Sequence, residues 1–248
     1  MMPSYRAAAS VLAVTVGALS LPAIAIAEDV GASFDCKKAT TKVEKAICDD
    51  EFLGFRDGAL GALYRQLQVQ RKKISNLDLR LRNWRRSRDV NCERAPDNVR
   101  VNCVLSHYDA VHDVLSRHMA RAGIGPAARG LRPVAGSYGK KIPLFNGTVT
   151  VVEMPDLTAW VEIATVNGPT HHLCTLHTAS ARRVGATIVW QDKDEPTCRV
   201  TLRFKGQTVT PVATRGCRAY CGARGHFSEI VFTKTKPRPM ITLPPTKR

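Results

Sequence analysis

The feature that most constrains this chain is its cysteines: eight of them, at 36, 48, 92, 103, 174, 198, 217 and 221, all behind an N-terminal segment built like an export signal. Arg6 supplies a positive start, Ala7 to Leu21 is an apolar run broken by Pro22, and Ala25-Ile26-Ala27 is a small-x-small cleavage pattern, so residues 1–27 read as a signal peptide. An even number of cysteines in an exported chain implies disulfides, because the compartment is oxidising. The expected location is the periplasm or the outside of the cell. No later apolar run approaches the roughly 18 residues of a membrane-spanning helix, so no transmembrane segment is expected after signal cleavage.

The cysteines divide four and four around residues 119–133, MARAGIGPAARGLRP, a stretch rich in Ala, Gly, Arg and Pro that reads as a linker. Two domains are predicted, 28–118 and 134–233, followed by a Pro-rich tail, 234–248, expected to be disordered. Charge divides unequally. The formal net charge is +16; residues 28–118 carry +3 of it and residues 119–248 carry +12. A basic exported surface suits anionic envelope polymers, and it equally serves as a solvated face.

The predicted fold class is α+β in two parts: a small disulfide-tied helical bundle, then an antiparallel β sandwich or barrel. In the first part, Thr41 and Glu44 form a capping-box pattern ahead of Val43, Ala46 and Ile47. Further helical runs cover Glu51 to about Lys73, Leu77 to Asn91, and Val104 to His118. The second part alternates with period two. Cys198, Val200, Leu202 and Phe204 share one face of a strand, while Arg199, Thr201, Arg203 and Lys205 share the wet one. Similar runs at 148–154, 160–166, 173–177, 187–191, 208–212 and 229–233 give about seven strands.

Several residues of the first part carry a resemblance. Phe34-Asp35-Cys36, Glu44, Ile47-Cys48, Leu53, Asp57, Leu60 and Tyr64, then Trp84, Arg88-Asp89, Cys92, Cys103-Val104-Leu105 and Tyr108, resemble the N-terminal domain of the LprI-type lysozyme inhibitors over about residues 33–115. That resemblance implies a protein that binds lysozyme or a related muramidase and occludes its cleft. Read from the residues themselves, Asp57, Tyr64, Trp84, Arg88 and Asp89 are architectural: Tyr64 and Trp84 pack between helices and Asp57 pairs with Arg88. An alternative function follows from composition, a basic module that binds an anionic envelope polymer.

Four cysteines permit three pairings. In the first part the short Pro96-containing segment favours Cys92 with Cys103, leaving Cys36 with Cys48, with crossed pairing still open. In the second, facing positions favour Cys174 with Cys198 and leave Cys217 with Cys221. His171, His172, Cys174 and His177 offer imidazole and thiol together, but their spacing fits no closed zinc motif. The chain has no Gly-x-Ser-x-Gly, His-Glu-x-x-His or phosphate-binding Gly loop. No catalytic residue, metal or cofactor is expected, and the reading is of a binding protein rather than an enzyme.

Overall fold

The computed structural model describes residues 31–70, 73–222 and 224–235. The expected signal peptide and the tail from residue 236 lie outside them.

Four helices come first. Thr41 closes a full capping box with Glu44 at the start of α1 (Lys42–Asp49), and Asp50, which ends α1, caps α2 (Glu51–Val69) by accepting from the Leu53 N–H. Asp35 caps a short 3-10 turn at Cys36–Lys38. Helices α3 (Leu77–Glu93) and α4 (Asp97–Arg121) form a hairpin around Pro96. The Cys92–Cys103 bridge ties the base of that hairpin, and Cys36–Cys48 ties the entry turn to α1, both as favoured by spacing.

The second part is a closed antiparallel barrel of eight strands in meander order: β1 (Gly136–Ile142), β2 (Phe145–Glu153), β3 (Thr158–Asn167), β4 (His172–Val184), β5 (Thr187–Gln191), β6 (Arg199–Lys205), β7 (Thr208–Ala213) and β8 (Phe232–Lys234). Short β8 closes the ring against β1 through Tyr138 opposite Lys234. Closure removes the exposed edges that a sandwich would have to protect. The interior is filled by the inward set, among them Tyr138, Val149, Val151, Ile163, Leu176, Leu202 and Phe232.

Three expectations are corrected. Strand β1 was not foreseen, because GSYGKKI carries two glycines and two lysines and buries little besides Tyr138. Residues 119–133 are not a free linker: Met119 to Arg121 continue α4, and Met119, Ile124, Gly125 and Pro126 are buried. The expected disorder does not begin at residue 234. Lys234 belongs to β8 and donates to the Ala135 carbonyl at 2.7 Å, and Thr235 hydrogen-bonds the Ser137 carbonyl.

The barrel disulfides also differ from the expected pairs. They are Cys174–Cys221 and Cys198–Cys217. Both Cys174 and Cys198 are buried as the alternation requires, but they lie on β4 and just before β6, with β5 hydrogen-bonded between those strands. Cys217 sits within the 3-10 turn Arg215–Tyr220 and Cys221 just past its end, so each reaches a different strand instead of the other.

The helices do not close a core by themselves. Their cluster of Val43, Ile47, Phe55, Leu63, Trp84, Tyr108 and Leu115 is completed by Val152 of β2, Met154 just past its end and Trp160 of β3. This is why those strands are buried on both sides. At the seam, a Cβ on Gly58 would lie 2.2 Å from the Gly31 carbonyl oxygen and 3.1 Å from the Trp160 ring, so only glycine admits this approach of α2. Arg56 crosses the same seam. Its guanidinium, buried, donates to Glu162 at 2.9 and 3.1 Å, to Asp109 at 2.6 Å and to the Thr150 hydroxyl at 2.6 Å. Burial disfavours its charge, but Glu162 and Asp109 outweigh that and raise its pKa. Beside it, His112 Nε2 meets the Arg56 carbonyl at 3.2 Å, and burial with the nearby guanidinium lowers its pKa to about 3.

Candidate binding cleft

Helices α2 and α3 diverge around an open cleft of about 520 Å³ whose lining includes Asp57, Tyr64, Trp84 and Arg88. Four of the five residues singled out in the sequence therefore meet at one place, because α2 residues 57 and 64 and α3 residues 84 and 88 sit on facing stripes one or two turns apart.

The floor is a polar chain, buried at Asp57, Arg88 and Tyr108 and reaching the surface at Ser33. Asp57 Oδ2 accepts from the Ser33 N–H at 2.7 Å and from its hydroxyl at 2.5 Å, while Oδ1 accepts from the Tyr108 hydroxyl at 2.5 Å. Arg88 Nη1 donates to the same Tyr108 oxygen at 2.8 Å and stands 3.9 Å from Asp57 Oδ1, so the expected Asp57–Arg88 pair exists but is bridged by Tyr108. Asp89 holds the outer side of the guanidinium, with Arg88 Nε donating at 2.8 Å. The Arg88 guanidinium also lies over the rings of Trp84 and Tyr108, 5.2 and 5.7 Å from their centroids. Burial opposes the charge on Arg88, but Tyr108, Asp89 and Asp57 more than restore it and raise its pKa. Burial first, then Asp57, pushes the Tyr108 phenol well above its ordinary value. Trp84 is locked by its Nε1–H donating to the His107 carbonyl at 3.0 Å. Asp57, Trp84, Arg88 and Asp89 are thus held rigidly.

The rim is different. Arg65, Arg82 and Arg85 line the mouth, and all three are exposed. Tyr64, half-buried, donates its hydroxyl to Asp78 at 2.7 Å, a bond that raises its pKa, and Gln68 donates to the same carboxylate oxygen. Of the arginine run on α3, Arg80, Arg82, Arg85 and Arg86 are exposed and Arg88 alone is buried. Sequence reasoning missed Ser33, Arg65 and Asp78 as cleft residues. The facing of Arg65 and Arg82 across the mouth depends on how α2 and α3 cross, which no periodicity states.

This arrangement suits recognition. The arginine forks are free of carboxylate partners at Arg65, Arg82 and Arg85 among the described residues and are matched to planar anions. The histidines considered as ligands do not converge: His177 is taken into the seam, stacked on Phe55 at 5.0 Å between centroids, while Cys174 is oxidised. A cluster of potential ligand atoms at Cys92, Cys103 and His107 is likewise occupied by a disulfide, which has no thiolate to give. Among the described residues no helix is long and apolar enough to cross a membrane. Comparison with family models, with curated proteins and with solved structures finds no match to this chain.

Proposed function

We propose that this chain is an exported envelope binding protein that inhibits a lysozyme-type muramidase by covering the partner's catalytic cleft with the rim of the α2–α3 cleft. The observation that carries the reading is the convergence of Asp57, Tyr64, Trp84 and Arg88 beneath three exposed arginines, Arg65, Arg82 and Arg85. Asp57, Tyr64, Trp84 and Arg88, though not the three arginines of the rim, are among the residues that resemble the LprI-type inhibitors. A muramidase cleft holds a pair of carboxylic acids, and arginine presents a fork complementary to a carboxylate. Trp, Tyr and Arg also dominate the energetic centres of protein interfaces. The contact falls to the near-neutral part of the chain, which limits repulsion from a basic lysozyme. In this reading the rigid floor positions the rim and takes no part in bond chemistry.

The test is a cell-wall lysis assay with the full oxidised mature protein against lysozymes of several types. The wild-type protein inhibits at a defined stoichiometry. Arg82→Glu with Arg85→Glu, both exposed on α3, weakens inhibition by at least about tenfold while leaving the thermal melt in place. Failure of the wild-type protein to inhibit any of them ends the proposal.

A second reading rests on a separate observation. Strands β5, β6 and β7 contain no acidic residue, and Arg199, Arg203 and Lys205 project from β6 exposed. Such a face fits an anionic envelope polymer. Its signature is binding that falls steeply with ionic strength and that Arg199→Glu with Arg203→Glu removes.

A further inference from the structure

One end of the barrel holds a second concavity, about 460 Å³, that neither reading uses. Three segments wall it: the β1–β2 turn, the β3–β4 turn and the loop leading to β8. We propose that this mouth binds a hydroxylated monoacyl anion, with the hydrocarbon chain against the turns, the carboxylate on Arg224 and the hydroxyl on Asn167.

The apolar wall is Ile142, Leu144, Phe145 and Ile230. Ile142 and Leu144 are 51% and 66% exposed, which costs hydration with nothing gained in the fold. Leu144 is also the wrong residue for its backbone. Pro143-Leu144 forms the tip of the hairpin with Leu144 at φ 60, a left-handed conformation that Gly or Asn adopts more cheaply. An exposed leucine held there serves a surface it must meet.

Two polar groups give the head its chemistry. Asn167 is 4% exposed and lines the pocket; its Nδ2 donates to Thr165 at 3.0 Å, while its Oδ1 is buried with no partner among the described residues. A buried acceptor without a donor costs roughly 1–3 kcal/mol; Asn167 lines the pocket, and a small turn of its amide toward the pocket lets a ligand hydroxyl remove that cost. Arg224, exposed at the rim, makes no hydrogen bond or ion pair among the described residues and leaves its charge for an anion. The walls are fixed in advance. Cys174–Cys221 bonds the loop to β4, the Gly222 N–H donates to the Leu173 carbonyl at 2.8 Å, and Thr165 donates to the His226 carbonyl at 3.2 Å. A pocket held this way loses little entropy on binding, and its volume falls in the roughly 300–1,000 Å³ of small-molecule sites.

The experiment titrates the full oxidised protein with 3-hydroxydecanoate and with decanoate by calorimetry. The expected result is saturable one-to-one binding of 3-hydroxydecanoate, with decanoate at least about fivefold weaker for want of the donor to Asn167. Leu144→Asn, which suits the left-handed backbone, weakens binding about tenfold while the melting temperature stays or rises. Arg224→Glu weakens it by a similar factor. Arg199→Glu with Arg203→Glu, on the barrel's side, leaves it unchanged. Absence of saturable binding, decanoate binding as tightly as the hydroxy acid, wild-type affinity in both pocket variants, or loss in the Arg199 and Arg203 double variant each overturns the proposal. Binding here is independent of muramidase inhibition, so either can fail alone.

Discussion

The helical part and the barrel solve the same problem, a small core fastened by disulfides, by opposite means. The barrel has its own interior and a hydrogen-bonded ring with no free edge. The helices have neither; their core is finished by Val152, Met154 and Trp160 from the barrel's outer wall. Their disulfides are local staples spanning 12 and 11 residues, whereas those of the barrel span 47 and 19 and fasten one loop to two strands. Dependence is therefore unequal: the barrel keeps a second core inside its ring, whereas the core of the helices is shared with the barrel's wall, and the cleft on α2 and α3 rests on that wall.

The sharpest way to break that asymmetry is Trp160→Ala. The ring packs on Phe55 at 5.3 Å between centroids and against Gly58, and removing it costs about 3–5 kcal/mol. The loss falls on the helices. In a denaturation monitored by far-ultraviolet circular dichroism, helical signal disappears at lower denaturant than the barrel's, and a single unchanged transition refutes the unequal dependence.

Acid separates the two parts next. The histidines whose pKa is lowered are His107, His112 and His118 on α4 and His177 at the seam, in each case through burial first. For His112 the folded value is about 3 against 6.5. Between those values the unfolded chain takes up a proton that the folded one refuses, so this stabilisation is complete above about pH 6.5 and is lost as pH falls toward 3. Glu153, whose pKa burial raises, works in the opposite direction at the acid end. Helical signal is accordingly expected to melt before the barrel as pH drops, and His112→Gln, which keeps an amide donor to the Arg56 carbonyl, flattens that dependence.

The smallest contrast concerns the bridges. Loop-closure entropy gives about 4 kcal/mol for the long bridge Cys174–Cys221 and about 3 for Cys36–Cys48. Replacing each pair by serine thus differs by roughly 1 kcal/mol in favour of the barrel bridge, measured by urea midpoints. Equal losses place the entropy elsewhere.

Much of this architecture was legible. The Thr41–Glu44 capping box, the run of α2, the tryptophan on α3 and the alternation of β6 are local patterns with local causes. What was hidden is non-local. Arg56 looks like one more basic residue until Glu162, 106 positions later, is placed beside it. The pairing of Cys198 with Cys217 required knowing that β5 lies between β4 and β6. Asp57, Trp84 and Arg88 were visible as packing residues, but the mouth above them appears only once Arg65 and Arg82 face each other across two helices.

The closure of β1 on β8 sets an order of events. Tyr138 meets Lys234 across nearly the whole length of the barrel's sequence, so the ring closes only after the last strand has been made, and contacts of such separation form slowly. The wall that holds Trp160 against α2 belongs to that ring. The helices, made first, meet that wall only once β2 and β3 have followed them, while Cys36 and Cys48 already lie close enough in sequence to be joined early. An early local bridge and a late global closure thus bracket the assembly of the core that the two parts share.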